Sequence, residues 1–288
     1  MRESVKLRIE SAIEDIIISH QAVSGGCINN AEIIITKSGK SFFVKTNSDS
    51  AKDMFLKEAN GLREIAKANV IRIPQVICAS TDFIIMENII PQTKNKLFWE
   101  NFGRALARLH KYYNKSFGFF ENNYIGSTPQ QNIPNENESL NWTEFYFNKR
   151  LSYQFQLAEK NGYIEAELRK DFYQLENKIT IILKDCKAQP SLLHGDLWSG
   201  NFIIDETGNA CLIDPAVYYG HRETDLAMTK LFGGFDGRFY SAYNEEFPLD
   251  DEYLYRENIY KLYHVLNHLN LFGTSYYQQA VSLIKYYL

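Results

Sequence analysis

The chain has 288 residues, of which 45% are apolar and 23% charged, and its net charge at pH 7 is −4. That length suits one large domain or two lobes with a proper core, and the composition is ordinary for a globular protein. The slightly acidic balance argues against a general binder of phosphate backbones, though it leaves room for a local basic pocket.

Val5, Leu7, Ile9, Ile13, Ile16 and Ile17 roughly follow helical spacing, so an amphipathic helix opens the chain. Charges run through this opening, unlike a secretory signal, and no apolar run approaches membrane-spanning length. The expectation is a cytoplasmic protein. A glycine-bearing turn, Ser24-Gly25-Gly26-Cys27, precedes two predicted strands at 32–36 and 41–46, joined at Lys37-Ser38-Gly39-Lys40. Residues 51–68 predict a helix. Pro74 opens a strand near 75–79, and 83–86 is another short apolar strand.

After Pro91 the character changes. Phe98, Phe102, Leu106 and Leu109 share one helical face. Residues 114–139 hold Gly118, Gly126, Pro129 and Pro134 amid Asn, Gln and Ser, which predicts a long surface loop. Two helical segments follow, around 141–160 and 163–185; the segment 192–205 comes next, and then more helix to the C-terminus. The predicted organisation is a β-rich lobe over 1–90, a hinge near 87–91, and a larger helical lobe over 91–288. Nineteen Tyr and 19 Phe read as a ring-rich core and surface rather than a nucleic-acid stacking platform. Cys27, Cys78, Cys186 and Cys211 form no C-x-x-C pair, which argues against a zinc or dithiol site and suits a reducing compartment.

The chemistry concentrates in LLHGDLWSGNFIID, residues 192–205. Asp196, four residues and Asn201 fit the D-x-x-x-x-N spacing of a kinase catalytic loop. In that reading Asp196 is the base, and Asn201 and Asp214 are magnesium ligands. Residues 202–204 and 210–213 can pair as a hairpin, which would bring Asn201 and Asp214 to the same end. Lys45 ends the strand SFFVK and Glu58 lies in the next helix, as a Lys–Glu pair that aligns ATP phosphates would. Gly25 and Gly26 stand where a phosphate-covering turn belongs. Each piece has a plainer reading: Asp196 and Asn201 as turn formers, Lys45 as a solvated strand end, Glu58 as a surface residue, Gly25-Gly26 as a simple turn. Their joint order and spacing favour the phosphoryl-transfer reading.

The run LLHGDLWSGN, followed by DPAVYYGHRETDLAMTKLFGGF from Asp214 to Phe235, resembles the fructosamine kinase (ketosamine-3-kinase) family. The likeness extends to SGGCIN, to Val44-Lys45, to Met86-Glu87-Asn88 and to LNHLNLFG at 266–273, and so covers nearly the whole chain. Asp214 is followed by Pro-Ala rather than Phe-Gly, and no activation segment follows it, as in the small-molecule kinases rather than the protein kinases.

The resemblance implies an α+β, bilobal, protein-kinase-like fold with ATP and Mg2+ as cofactors. It implies phosphorylation of the 3-hydroxyl of a ketosamine, free or protein-bound, giving a 3-phosphate that decomposes and frees the amine. Asp196 carries over as base, Asn201 and Asp214 as metal ligands, Lys45 and Glu58 as the ATP-positioning pair, and Met86, Glu87 and Asn88 as the hinge whose backbone holds adenine. Trp198 reads either as a ring stacked on the sugar or its amine, or as a core tryptophan. His268 reads either as a hydrogen-bond donor to a hydroxyl or as a helix-packing residue. Asp225 is expected to brace the catalytic loop and His110 to be structural. The rivals are a kinase of another small alcohol, aminoglycoside- or choline-like, and an inactive nucleotide-binding relative; Trp198 and LFGGF count against the first, the intact site set against the second. No nucleic-acid or membrane partner is expected. Cys27 is either a redox-sensitive thiol in the phosphate loop, able to link a homodimer, or an inert residue packed under a monomer's loop.

Overall fold

In the computed structural model the structure describes residues 2–23, 30–47, 53–184 and 186–288. The turn at 24–29, with Gly25, Gly26 and Cys27, lies outside the described residues.

The N-terminal lobe is an antiparallel sheet of five strands between two helices. Helix α1 (Glu3–Ile13) leads into β1 (Ile17–Ala22), β2 (Asn30–Thr36) and β3 (Ser41–Thr46); α2 (Met54–Ala68) follows, then β4 (Val76–Ala79) and β5 (Phe83–Glu87), in the order β1-β2-β3-β5-β4. Alternation puts two sets of apolar side chains on opposite faces. Ile34, Val44, Phe83 and Ile85 pack with Ile9 and Ile17 under α1, whereas Ile84 and Met86 pack with Phe55, Ala59 and Leu62 of α2. Pairing of Lys45 with Ile84 across β3 and β5 sets the lysine one strand from the start of the hinge.

The C-terminal lobe is mainly helical. Helix α3 (Phe98–His110) carries the predicted apolar face, with Phe98, Phe102, Leu106 and Leu109 all buried. It crosses a later helix, Gly237–Glu246, at Gly103, where an added Cβ would stand 2.2 Å from the Phe239 carbonyl oxygen. The predicted surface loop at 114–139 is not one. It forms a small hairpin, β6 (Asn123–Ile125) with β7 (Thr128–Gln130), and a short capped helix α4 (Glu136–Leu140). Asn123, Gln130 and Asn132 are buried. Their amides serve backbone carbonyls and one another, so a polar sequence folds inward by satisfying its own donors.

Helix α5 (Trp142–Tyr146) continues through a π-helical turn at Phe147–Ser152 into α6 (Tyr153–Lys160), and α7 (Ala166–Ile182) follows. Four short strands then frame the segment that holds His194, Asp196, Asn201 and Asp214: β8 (Ser191–Leu193), β9 (Phe202–Ile204), β10 (Ala210–Leu212) and β11 (Tyr218–Gly220). As predicted, β9 and β10 pair, Phe202 facing Leu212, while β8 pairs with β11. Helices α8 (Glu223–Leu231), α9 (Gly237–Glu246), α10 (Tyr253–Phe272) and α11 (Tyr277–Lys285) complete the lobe. The aromatic excess is largely core: Phe98, Trp99, Phe102, Phe202, Phe235 and Phe239 pack ring to ring. Among the described residues no helix is long and apolar enough to cross a membrane.

The lobes meet through more than the hinge. The Arg72 carbonyl accepts the Leu212 N–H at 2.8 Å, and the Arg72 guanidinium reaches Glu87 at 2.7 Å and Asp205 at 3.3 Å.

Candidate active site

A cleft of about 420 Å³ separates the lobes. It brings together Lys45, Glu58, Met86, Glu87, Asn88, Asp196, Trp198, Asn201, Asp214 and His268, which span the chain from residue 45 to 268. Gly25 and Gly26 are the two candidate site residues outside the described residues.

The turn from His194 to Asn201 is shaped by packing. Gly195 has φ +84°, and a Cβ there would lie 2.0 Å from the Ala216 carbonyl oxygen, so the position requires glycine. The His194 carbonyl accepts the Ala216 N–H at 2.8 Å, tying the turn to the segment after Asp214. Burial holds the His194 ring neutral, below its ordinary value. Its Nε2–H donates to the Ile213 carbonyl at 2.9 Å while Nδ1 accepts the Asp196 N–H at 3.3 Å, which fixes the tautomer. Asp225 closes the turn from below, as expected, accepting the N–H groups of His194 and Gly195 at 2.8 Å each. His110 donates to the same carboxylate at 3.2 Å and accepts from the Tyr243 hydroxyl at 2.8 Å.

Asp196 lies half-buried on the cleft floor. Burial pushes its carboxyl up to about 7, against the Asn201 amide, whose Nδ2 donates to its Oδ2 at 3.1 Å and to its backbone carbonyl at 2.7 Å. That amide orientation leaves the Asn201 Oδ1 as an oxygen donor. The Asn201 carbonyl accepts the Ile213 N–H at 3.1 Å, which sets Asn201 beside the strand end that carries Asp214. Asp214 has φ +53°, a left-handed conformation that Asp tolerates better than most residues.

Lys45 bridges Asp214 and Glu58, the latter at 2.7 Å. Burial alone would lower the ammonium's pKa, but the two carboxylates outweigh it and hold the lysine charged above its ordinary value. Above this cluster, Ala31, Phe43, Met86, Ile203 and Ile213 form an apolar slot beside the hinge. The Glu87 side chain is committed to Arg72, and Asn88 donates to the Ser41 hydroxyl at 3.0 Å.

On the opposite side Trp198 and His268 share an aromatic wall with Phe232, Phe272 and Tyr276. The Trp198 ring lies against Gly200, where a Cβ would come within 2.5 Å of it. His268 Nδ1 donates to the His264 carbonyl at 2.7 Å, so Nε2 is the nitrogen left to face the cleft. Sequence reasoning missed Lys57, Asn123, Tyr124 and Asn267, which also line the cleft. Asn123 and Tyr124 fall in the segment read as surface loop, and nothing local in that polar run marks it as inward-facing.

A lysine–glutamate pair under a β-sheet lobe, facing an aspartate–asparagine turn and a second aspartate on a helical lobe, defines a kinase-type phosphotransferase. Solved aminoglycoside phosphotransferases and choline kinases share the fold. The family model described as fructosamine kinase matches residues 1–288, and the chain belongs to that family of ATP-dependent ketosamine kinases. It is 40% identical to the chloroplastic protein-ribulosamine 3-kinase of Arabidopsis thaliana, over 93% of this chain and 82% of that protein. It is 39% identical to a Synechocystis protein named as a probable ketoamine kinase, over 93% of this chain and 90% of that one. A crystal structure from Thermobifida fusca assigned as a fructosamine-3-kinase is 27% identical, with a TM-score of 0.90 over 99% of both chains.

Proposed function

We propose that the cleft transfers the terminal phosphoryl group of Mg-ATP to the 3-hydroxyl of a ketosamine, with ribulosamine- and fructosamine-type adducts of free or protein-bound amines as acceptors. The observation that carries this reading is the convergence of Lys45, Glu58 and Asp214 in one ion cluster beside Asp196.

The residues suit Mg-ATP. Magnesium keeps several waters and takes few ligands directly from protein, and Asn201 Oδ1 with the Asp214 carboxylate offers such a small hard-oxygen set. Bound Mg-ATP supplies the phosphoryl group and a cation that neutralises its charge. The chain's own groups do the rest. Lys45, oriented by Glu58, meets the phosphates. The apolar slot holds adenine, with the backbone of Met86, Glu87 and Asn88 along its edge. Asp196 accepts the proton of the attacking 3-hydroxyl, and its raised pKa suits a base that works near neutrality. Trp198 presents its ring to the sugar or its linked amine, and His268 Nε2 a hydrogen-bonding atom to a hydroxyl. The dispersed cysteines suit a reducing compartment, and the enzyme is accordingly assigned to the cytoplasm.

The test is phosphorylation by the purified protein of ribulosyl-, erythrulosyl- and fructosyl-lysine, free and on a carrier protein, with ATP and magnesium. Aminoglycosides and choline serve as competing acceptors. Magnesium-dependent transfer to a ketosamine, with loss of the phosphorylated adduct and recovery of free amine, is expected. Transfer to choline or an aminoglycoside in preference to every ketosamine would reject the reading.

A further inference from the structure

The chain from Glu121 to Gln130 touches both halves of the phosphate site. On one side it holds α2. Glu121 accepts from Lys57 Nζ at 2.6 Å and from Asn60 Nδ2 at 2.9 Å, and the Tyr124 hydroxyl donates to Asp53 at 2.7 Å. Asp53 stands at the N-cap of α2 but makes no capping bond; its carboxylate serves Tyr124 instead. On the other side the same segment holds the chain after Asp214. Asn123 Nδ2 donates to the Val217 carbonyl at 2.8 Å, and Gln130 Nε2 donates to the Ala216 carbonyl at 3.0 Å and to Asn123 Oδ1 at 2.8 Å. The Tyr263 hydroxyl donates to Gln130 Oε1 at 2.6 Å, which fixes the glutamine from behind. Asn123 and Gln130 are 5% and 1% exposed, so water cannot readily take over these bonds. Between the two halves α2 presses on the same segment: a Cβ on Gly61 would stand 3.2 Å from Val217 Cγ2.

Phosphoryl transfer itself does not call for these contacts. In protein kinases the helix carrying the glutamate moves, and an activation segment controls it. Here β11 begins four residues after Asp214 and leaves no room for such a segment.

We infer that β6–β7, with Glu121 ahead of it, is a brace that locks α2 to the Asp214 segment and keeps the Lys45–Glu58 pair and Asp214 assembled. Glu121, Asn123, Tyr124 and Gln130 are positioning residues. The inference rests on the roles proposed above for Lys45, Glu58 and Asp214. Glu121 does not line the cleft, so its effect on nucleotide passes through its partners on α2, Asn60 and the cleft-lining Lys57. Freed of Glu121, α2 populates arrangements that bind nucleotide poorly, and apparent affinity falls with the competent fraction.

The experiment is a thermodynamic cycle on the full chain, with Mg-ADP titrated into the parent, Glu121→Ala, Glu58→Ala and the double variant. Glu121→Ala should weaken Mg-ADP by about 5- to 30-fold and raise the KM for ATP, with the KM for ketosamine changed less than about twofold. Glu121→Gln keeps the acceptor for Asn60 and loses the charge opposite Lys57, so it should fall between. In the Glu58→Ala background, Glu121→Ala should add less than about twofold. Parent-like Mg-ADP binding by Glu121→Ala, or an undiminished loss in the Glu58→Ala background, overturns the brace. Parent-like binding by Glu58→Ala alone would instead sink the reading of the Lys45–Glu58 pair, and the brace with it.

Discussion

Replacing Asp196 by Asn removes a carboxylate whose ionisation its surroundings oppose. Burial lifts this carboxyl from 3.8 to about 7. At about 1.36 kcal/mol per tenfold, that span is a ceiling of roughly 4 kcal/mol that the ionised form costs the folded, ligand-free enzyme. Asp196 is half-buried and faces a solvent-filled cleft, so screening reduces the expected gain to roughly 1–3 kcal/mol. The sign follows from proton binding. Between about pH 4 and pH 7 the folded state keeps a proton that the unfolded chain has released, so stability falls as pH rises through that window and levels off above it. The amide of the Asp196→Asn variant carries no such proton. That variant should therefore match the parent only below about pH 4, lead it modestly at pH 5, and lead it fully at pH 8, by about 2–4 °C for each kcal/mol gained. Thermal melts of both proteins without nucleotide or magnesium, in matched buffers from pH 5 to 8, read this directly. Turnover should fall by roughly 10²–10⁴-fold, the ordinary weight of a general base. A variant less stable than the parent at pH 8, or a melting difference equal at pH 5 and pH 8, would refute the electrostatic argument. Near-parent turnover would remove Asp196 from the chemistry.

Asp214→Ala should abolish magnesium-dependent ADP binding while far-UV dichroism stays native; retained binding in calorimetry would contradict the ligand role. Trp198→Ala should raise the KM for ketosamine more than that for ATP, and an equal rise in both would return Trp198 to a packing role. Gly195→Ala forces a side chain to φ +84° and against the Ala216 carbonyl, so it should lower both activity and melting temperature; an active enzyme with parent-like melting would show that the turn can shift. If Cys27 is a reactive thiol of the phosphate loop, diamide should lower activity, dithiothreitol restore it, and Cys27→Ser resist; equal inactivation of Cys27→Ser would exclude it.

Legibility followed the range of the physical signal. The strands of the first lobe announce themselves by short β-branched and aromatic runs between turns, and α3 by its 3.6-residue apolar period; both are local. Strand β1 is hidden in the sequence because Ile16 and Ile17 extend the apolar pattern of the preceding helix, which ends at Ile13. The grouping of Asp196, Asn201 and Asp214 was legible because the three are close in sequence and the first two stand at a fixed spacing. The Lys45–Glu58 pair was legible by chain order alone. The inward course of 114–139 was not. Its Asn and Gln are turn formers when solvent satisfies them, but Asn123, Gln130 and Asn132 are buried because Val217, Ala216 and Arg150 present partners from far along the chain.

The contrast between Asp196 and Asp225 shows how one turn assigns two roles to the same side chain. Asp225 is fully buried and Asp196 half-buried at the same turn, and loss of solvent pushes both carboxyls upward. At Asp225 the push is overcome. The His110 ring and the N–H groups of His194 and Gly195 all donate to it, and its pKa ends below the ordinary value. Such a carboxylate stays ionised, saturated and fixed, which is what a brace requires. Asp196 receives one side-chain amide, from Asn201, and faces the charge of Asp214, so its pKa ends near 7. It keeps an oxygen toward the cleft with affinity for a proton at neutral pH. Paired carboxyls whose surroundings drive their pKa values apart mark the division between a fixed charge and a proton acceptor. The proton affinity of Asp196 is therefore set as much by what it lacks, the donors given to Asp225, as by its place in the turn.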